Sequence, residues 1–151
     1  MHYAFKIDKL LLHDNDEDEA YFFEQALKSF GHPIRLICTT NFSQLEKRIS
    51  EVPDLIFLDI NIPEKNGFEC LKIIRNNPLL DRTPVIMYSN SNRVKEVQEC
   101  YKHGASLFIS KPTKIENVEA ALQAVFSIDW NDLENITNKH ASQNTILRFG
   151  H

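Results

Sequence analysis

A chain of 151 residues with 42% apolar content is sized for one domain. Such a domain buries roughly 70% of the surface its unfolded chain exposes, so a core is available without disulfides. A net charge of −4 disfavours a nucleic-acid partner, and the three cysteines (Cys38, Cys70, Cys100) show no CxxC or CxxH zinc spacing. Scattered free thiols fit a reducing compartment. No apolar run approaches the ~20 residues of a membrane span. Met1 to Lys9 lacks the apolar stretch of a signal peptide, so the expectation is a cytoplasmic protein with no membrane partner.

Short apolar runs alternate with amphipathic segments along the chain. The first run, Leu10–Leu12, leads into Asp14 to Glu19, where five of six residues are acidic. That stretch reads either as a solvated helix start, where acids suit the dipole, or as a cation site. Ala20, Phe23, Ala26, Leu27 and Phe30 then share a helix face, with Gly31 at the expected C-cap. Pro33 precedes a second strand at Ile34–Cys38. Phe42, Leu45 and Ile49 mark a second helix, and Ser43 with Glu46 has capping-box spacing. Pro53 precedes the run Leu55–Leu58, followed by the helical set Phe68, Leu71 and Ile74. Pro84 precedes Val85–Tyr88; then Val94, Val97 and Tyr101 lie on a helix that Gly104 closes. Leu107–Ile109 is the fifth run, and Ile115, Val118, Leu122 and Val125 follow, with Thr113 and Glu116 as a second capping box.

Near-continuous apolar runs imply strands covered on both faces. Five (βα) units therefore predict an α/β fold, a doubly wound parallel sheet with right-handed crossovers. After Phe126 the pattern stops. Ser127 to His151 reads as a polar tail, flexible or docked, with Trp130, Ile146, Leu147 and Phe149 available to pack on the domain or on a partner.

Polar residues gather just past the strands: Asp14, Asn15 and Asp16 after the first, Asp59 after the third, Ser89 after the fourth, Ser110 and Lys111 after the fifth. In open parallel sheets, ligands bind outside the carboxyl ends of the strands. Oxygens from Asp14, Asn15 and Asp59 suit a hard cation such as Mg²⁺. Lys111 adds a compact ammonium and Ser89 a hydroxyl. Together these groups can stabilise a transferring phosphoryl group. Taken singly, Asp59 suits a turn, Ser89 a helix cap and Lys111 the surface; their joint placement favours the site.

The stretch Leu11-Leu12-His13-Asp14-Asn15-Asp16, the stretch Leu58-Asp59-Ile60-Asn61-Ile62-Pro63 with Gly67, Ser89, and Lys111-Pro112 closely resemble the receiver family of two-component response regulators across residues 6 to 127. The resemblance implies a flavodoxin-like three-layer (βα)5 sandwich with five strands in the order 2-1-3-4-5, the order of the chemotaxis receivers. It implies that Asp59 is a phosphoacceptor for a histidine kinase or histidine phosphotransfer protein. It places Asp14, Asn15, Asp59 and the backbone carbonyl of Asn61 around Mg²⁺. Ser89 resembles the switch hydroxyl, Lys111 the lysine that pairs with the phosphoryl group, and Phe108 the switch aromatic. Residues 128–151 then form a tail with no output domain. The expected output is protein contact at the fourth helix and fifth strand, or phosphoryl relay, with a homodimer as one possible form and no enzymatic activity of its own.

Two residues depart from the family pattern. Asn15 stands where a second acid is usual, which predicts weaker Mg²⁺ affinity. Asn90 follows Ser89 where a small residue is usual. Both motivate an alternative, a degenerate receiver that binds protein without taking phosphate. A haloacid-dehalogenase-type phosphatase would need a second aspartate two residues after Asp59, where Asn61 stands. A flavin or nucleotide site would need a glycine-rich phosphate loop, and the four glycines form none.

Overall fold

The computed structural model describes residues 4–62, 65–91 and 93–150. The expected Pro63 therefore lies outside the described residues, as do Met1 to Tyr3 and His151. The strands are β1 (Lys9–His13), β2 (Arg35–Thr39), β3 (Leu55–Leu58), β4 (Val85–Ser89), β5 (Leu107–Ser110) and β6 (Ile146–Leu147). Between and after them come α1 (Glu17–Leu27), α2 (Phe42–Arg48), α3 (Gly67–Arg75), α4 (Val94–Lys102), α5 (Ile115–Phe126) and α6 (Leu133–Gln143).

The sheet order is β2-β1-β3-β4-β5-β6, and its neighbouring pairs are all parallel. The first five strands follow the expected order. The expectation of five strands is corrected to six, because Ile146 and Leu147 pair with Phe108 and Ile109. The tail is read from sequence as polar, with Trp130, Ile146, Leu147 and Phe149 able to pack on the domain, and all four do, but no strand is legible in it. Its helix has no fully buried residue, so the apolar stripe that marks a core helix is missing.

Alternation along each strand divides the core into two layers. One face carries Leu11, Ile37, Ile56, Leu58, Met87 and Phe108, packed by residues of α2, α3 and α4. The other carries Leu10, Leu12, Phe57, Tyr88, Leu107 and Ile109, packed by α1 and α5. In this second layer Phe23, Phe57 and Tyr88 form an edge-to-face trio with centroids 5.1, 5.4 and 5.6 Å apart. The trio fixes the strand ends beneath Asp59 and Lys111.

Local capping departs from the spacing-based expectation in three places. The α2 N-cap is Asn41, whose side chain accepts from the Gln44 N–H, while Gln44 Oε1 accepts from the Thr40 N–H; Ser43 lies inside the helix. At α5 the cap residue is Lys114 with no side-chain cap bond, so Thr113 does not serve. α1 ends at Leu27, with Lys28 as C-cap, ahead of Gly31. Asparagine competes well with serine for an N-cap, and the first residue able to reach the open N–H groups wins. Gly104 behaves as expected: its φ of 98° and the Ala105 N–H to Cys100 carbonyl bond of 3.0 Å close α4.

Truncating the aromatic trio tests this packing. Phe57→Ala is expected to lower stability by about 3–5 kcal/mol, read as a fall in urea midpoint at unchanged m-value. A loss below about 1 kcal/mol would mean that Phe57 is not a core anchor.

Candidate functional site

Three backbone hydrogen bonds carry the strand register one step past the ladder. Asp14 N–H donates to Thr39 O at 3.0 Å, Asp59 N–H to His13 O at 3.1 Å, and Lys111 N–H to Ser89 O at 3.0 Å. They bring Asp14, Asp59, Ser89 and Lys111 to one end of the sheet, and all four are buried.

Lys111 spans the two acids. Its Nζ lies 2.7 Å from Asp14 Oδ2 and donates to Asp59 Oδ2 at 3.2 Å. The three side chains are only 5%, 1% and 8% exposed, so these charges meet largely out of water and attract strongly. Burial alone would lower the Lys111 pKa; Asp14, Asp59 and Glu19 together outweigh it and raise it. Lys111 is therefore a fixed cation. Its Nζ also lies 5.9 Å from the Tyr88 ring centroid, above the aromatic trio.

Two carboxylates around one ammonium leave a net negative charge in a poorly solvated place, which is costly. Burial pushes the Asp14 pKa up against the pull of Lys111, and its Oδ2 has no well-directed hydrogen bond despite the close ammonium. Two carboxylates that share a single ammonium fit a hard divalent cation. Among the described residues no group of three His, Cys, Asp or Glu side chains forms a metal cluster. Amide, backbone and water oxygens would have to complete the shell, which Mg²⁺ accepts.

The other expected residues sit as follows. Asn15 is exposed at the rim, as is Asn61, whose N–H points at Asp59 Oδ1 over 3.4 Å. Ser89 is fully buried, and its Oγ accepts from the Ser91 N–H at 3.1 Å. Asn90 is exposed. Phe108 is fully buried one strand away, its N–H held by Tyr101 Oη at 3.0 Å. Gly67 abuts the site from below: a Cβ there would stand 2.4 Å from the Asp59 carbonyl oxygen and 2.6 Å from Ile60 Cα. No side chain fits.

Two further neighbours lie outside the set that the sequence picks out. Glu19 is 7% exposed. Burial, with Asp14, Asp16 and Asp59 adding to it and Lys111 opposing, pushes its pKa up to about 7. Its signal in the sequence is its place one turn before Phe23 on the buried stripe of α1. His13, directly before Asp14, is held neutral by burial, with its pKa down to about 4. Its Nδ1 lies 2.7 Å from Thr39 Oγ1.

A cavity of about 660 Å³, lined by Arg75, Gly104, Trp130 and Thr137 among others, lies away from these groups. There Arg75 donates to the carbonyls of Gly104, Leu80 and Thr83 and to Ser106 Oγ. Its donors are spent on holding loops, which makes it structural.

Comparison with known proteins bears on the family and the fold. Residues 10–123 match the family model of the response regulator receiver domain. Response regulator Rcp1 of Synechocystis sp. is 33% identical over 94 residues, which is 62% of each chain. Two-component response regulator ARR7 of Arabidopsis thaliana is 33% identical over 72 residues, 48% of this chain and 35% of its own. The chain thus spans roughly a third to three-fifths of the length of these relatives. The phosphorylated cyanobacterial phytochrome response regulator RcpA superposes with a TM-score of 0.72 at 22% identity, covering 80% of this chain and 91% of its own. That likeness speaks to the fold.

Two substitutions test the site's construction. In metal-free buffer, folded Glu19 keeps its proton to about pH 7 while the unfolded chain releases it near 4.5. The Glu19 contribution to stability should therefore fall as pH rises between those values, by up to about 3 kcal/mol, while buried neutral His13 contributes in the opposite sense up to about pH 6.5. Glu19→Gln is expected to remove the Glu19 part alone, read in urea titrations as a stability difference from the natural chain that changes between pH 4.5 and 7; a difference constant with pH would contradict the placement. Gly67→Ala is expected to cost at least about 2 kcal/mol and to shift the amide resonances of Asp59 and Ile60, whereas a neutral substitution would show that the loop has room.

Proposed function

The chain belongs to the response regulator receiver family, and we propose that it accepts a phosphoryl group on Asp59 from a histidine kinase or histidine phosphotransfer protein and signals by protein contact. The observation that carries this reading is the single Lys111 ammonium 2.7 Å from Asp14 and 3.2 Å from Asp59 at the mouth of the sheet. Asp14, Asp59, the Asn61 carbonyl and the Asn15 side-chain amide are the groups that would hold Mg²⁺. When bound, the cation would neutralise charge on the phosphoryl oxygens.

Asp59 supplies the nucleophile. One carboxylate oxygen forms the new P–O bond as the P–N bond of the donor phosphohistidine breaks, and the electron pair leaves with the imidazole. Lys111 stays charged and stabilises the transferring group. Ser89 would donate its hydroxyl proton to a phosphoryl oxygen, a bond that its present role as acceptor from the Ser91 N–H leaves open. A state in which Ser89 makes that bond shifts the population of the β4–α4 segment and hence of the α4–β5 surface. On this reading the chain turns over no external substrate and works in the cytoplasm.

Asn15 is the point at which this chain differs in affinity from an ordinary receiver. Asn15→Asp adds a carboxylate at the rim and is expected to tighten Mg²⁺ binding about tenfold, the effect of roughly 1.4 kcal/mol, in a calorimetric titration. Equal or weaker affinity would remove Asn15 from the shell. With Mg²⁺ and acetyl phosphate, intact mass is expected to rise by one phosphoryl group in the natural chain and not in Asp59→Asn. If neither acetyl phosphate nor a phosphorylated phosphotransfer protein produces the increment, the chain is a binding module instead.

A further inference from the structure

The phosphoacceptor chemistry makes no use of residues 133–150, yet this segment is built onto the sheet. β6 pairs in parallel with β5, Phe108 with Ile146 and Ile109 with Leu147. Tyr101 Oη, from α4, donates to Thr145 O at 2.5 Å and accepts from the Phe108 N–H at 3.0 Å. One hydroxyl therefore ties α4, β5 and the segment together. His140 Nδ1 donates to Ser106 O at 2.8 Å, just before β5. Ala141 and Ile146 pack on the layer that holds Phe108, while Leu147 and Phe149 pack on the opposite layer. The segment thus straddles the sheet edge.

The hold is short. β6 covers two of the four β5 residues. Ile146 and Leu147 are only half-buried, and α6 has no buried residue. An 11-residue helix of that kind has little stability of its own, and such weakly packed units open well below the global unfolding free energy.

We propose that the free edge of β5 is a strand-receiving site, occupied in this state by the chain's own Thr145–Phe149, and that its partner is an extended protein segment pairing in parallel with β5. The resident strand displays what the edge recognises: backbone hydrogen bonds, an apolar residue toward the Phe108 side, and apolar residues two positions apart toward the Ile109 side. β-strand addition works in this way, with the main chain supplying affinity and alternate side chains supplying selectivity. A partner strand that pairs with all four β5 residues outcompetes a resident that pairs with two, provided it overcomes the tail's advantage of attachment, an effective concentration on the order of millimolar. Tyr101 is the latch, because its hydroxyl holds the resident's carbonyl and the Phe108 N–H together.

The test uses the full chain and needs no phosphorylation, so its failure is separable from failure of the phosphoacceptor reading. Tyr101→Phe and Ile146→Asp, singly and together, are compared with the natural chain by hydrogen exchange, with β1 and β3 amides as the folding control. Exchange at Ile146 and Leu147 is expected to rise at least tenfold in the double variant while β1 and β3 stay protected. A labelled peptide of Asn144–Gly150 is then expected to bind the Ile146→Asp variant, which keeps the Tyr101 hydroxyl for the incoming Thr145 carbonyl, at least tenfold more tightly than the natural chain. The same peptide carrying Leu147→Pro should lose that binding. If the variants disturb β1 and β3, the natural chain decides alone: in low denaturant, Ile146 and Leu147 should exchange through an opening well below global unfolding. Exchange only by global unfolding, or a freed edge that ignores the peptide, would overturn the proposal.

Discussion

Everything at the carboxyl end of the sheet depends on one ammonium shared by two buried carboxylates. Lys111 Nζ is within 3.2 Å of both Asp14 and Asp59. Neither acid would be tolerated in its place without that charge, and the pair still leaves the pocket net negative. The site is thus arranged around an unfinished charge balance. On the proposed function, that balance would be completed by a divalent cation, and Asp59 would offer its oxygen beside the ammonium that receives the phosphoryl anion.

The rest of the domain serves to hold those three side chains still. The parallel register continues one residue past β1, β3 and β5 through backbone bonds to His13, Thr39 and Ser89. The Phe23–Phe57–Tyr88 trio locks β3 and β4 to α1 beneath the site. Gly67 lets α3 press its first turn against the Asp59–Ile60 backbone. The site's environment is less simple than the metal-ligand set suggests: neutral His13 and proton-retaining Glu19 both adjoin it without adding full charge near neutral pH.

Much of this is legible in the sequence, for definite reasons. Strands buried on both faces leave unbroken apolar runs, so Leu55–Leu58 can be read to the residue. An acid ending such a run is expensive, so Asp59 stands out. Glu19 is hidden because it belongs to an acidic run that also reads as a solvated helix start; only its phase with Phe23 marks it as buried. The cap expected at Ser43 fails because spacing alone cannot decide between it and Asn41, and the one expected at Thr113 fails because α5 starts a residue later, behind Lys114, which makes no side-chain cap bond. α6 and β6 are not legible because their contacts are with β5 and α4, far away in sequence. A two-residue strand carries no periodicity.

The most direct measurement is where the phosphoryl group goes. The chain is incubated with Mg²⁺ and acetyl phosphate, reduced with borohydride, which converts an aspartyl phosphate to homoserine, and mapped by peptide mass spectrometry. Conversion is expected at Asp59 alone, and is abolished when Lys111 is replaced by alanine in a variant that remains folded. Conversion at Asp14, or at no aspartate while a kinase-supplied donor also fails, would contradict the assignment of Asp59 as phosphoacceptor.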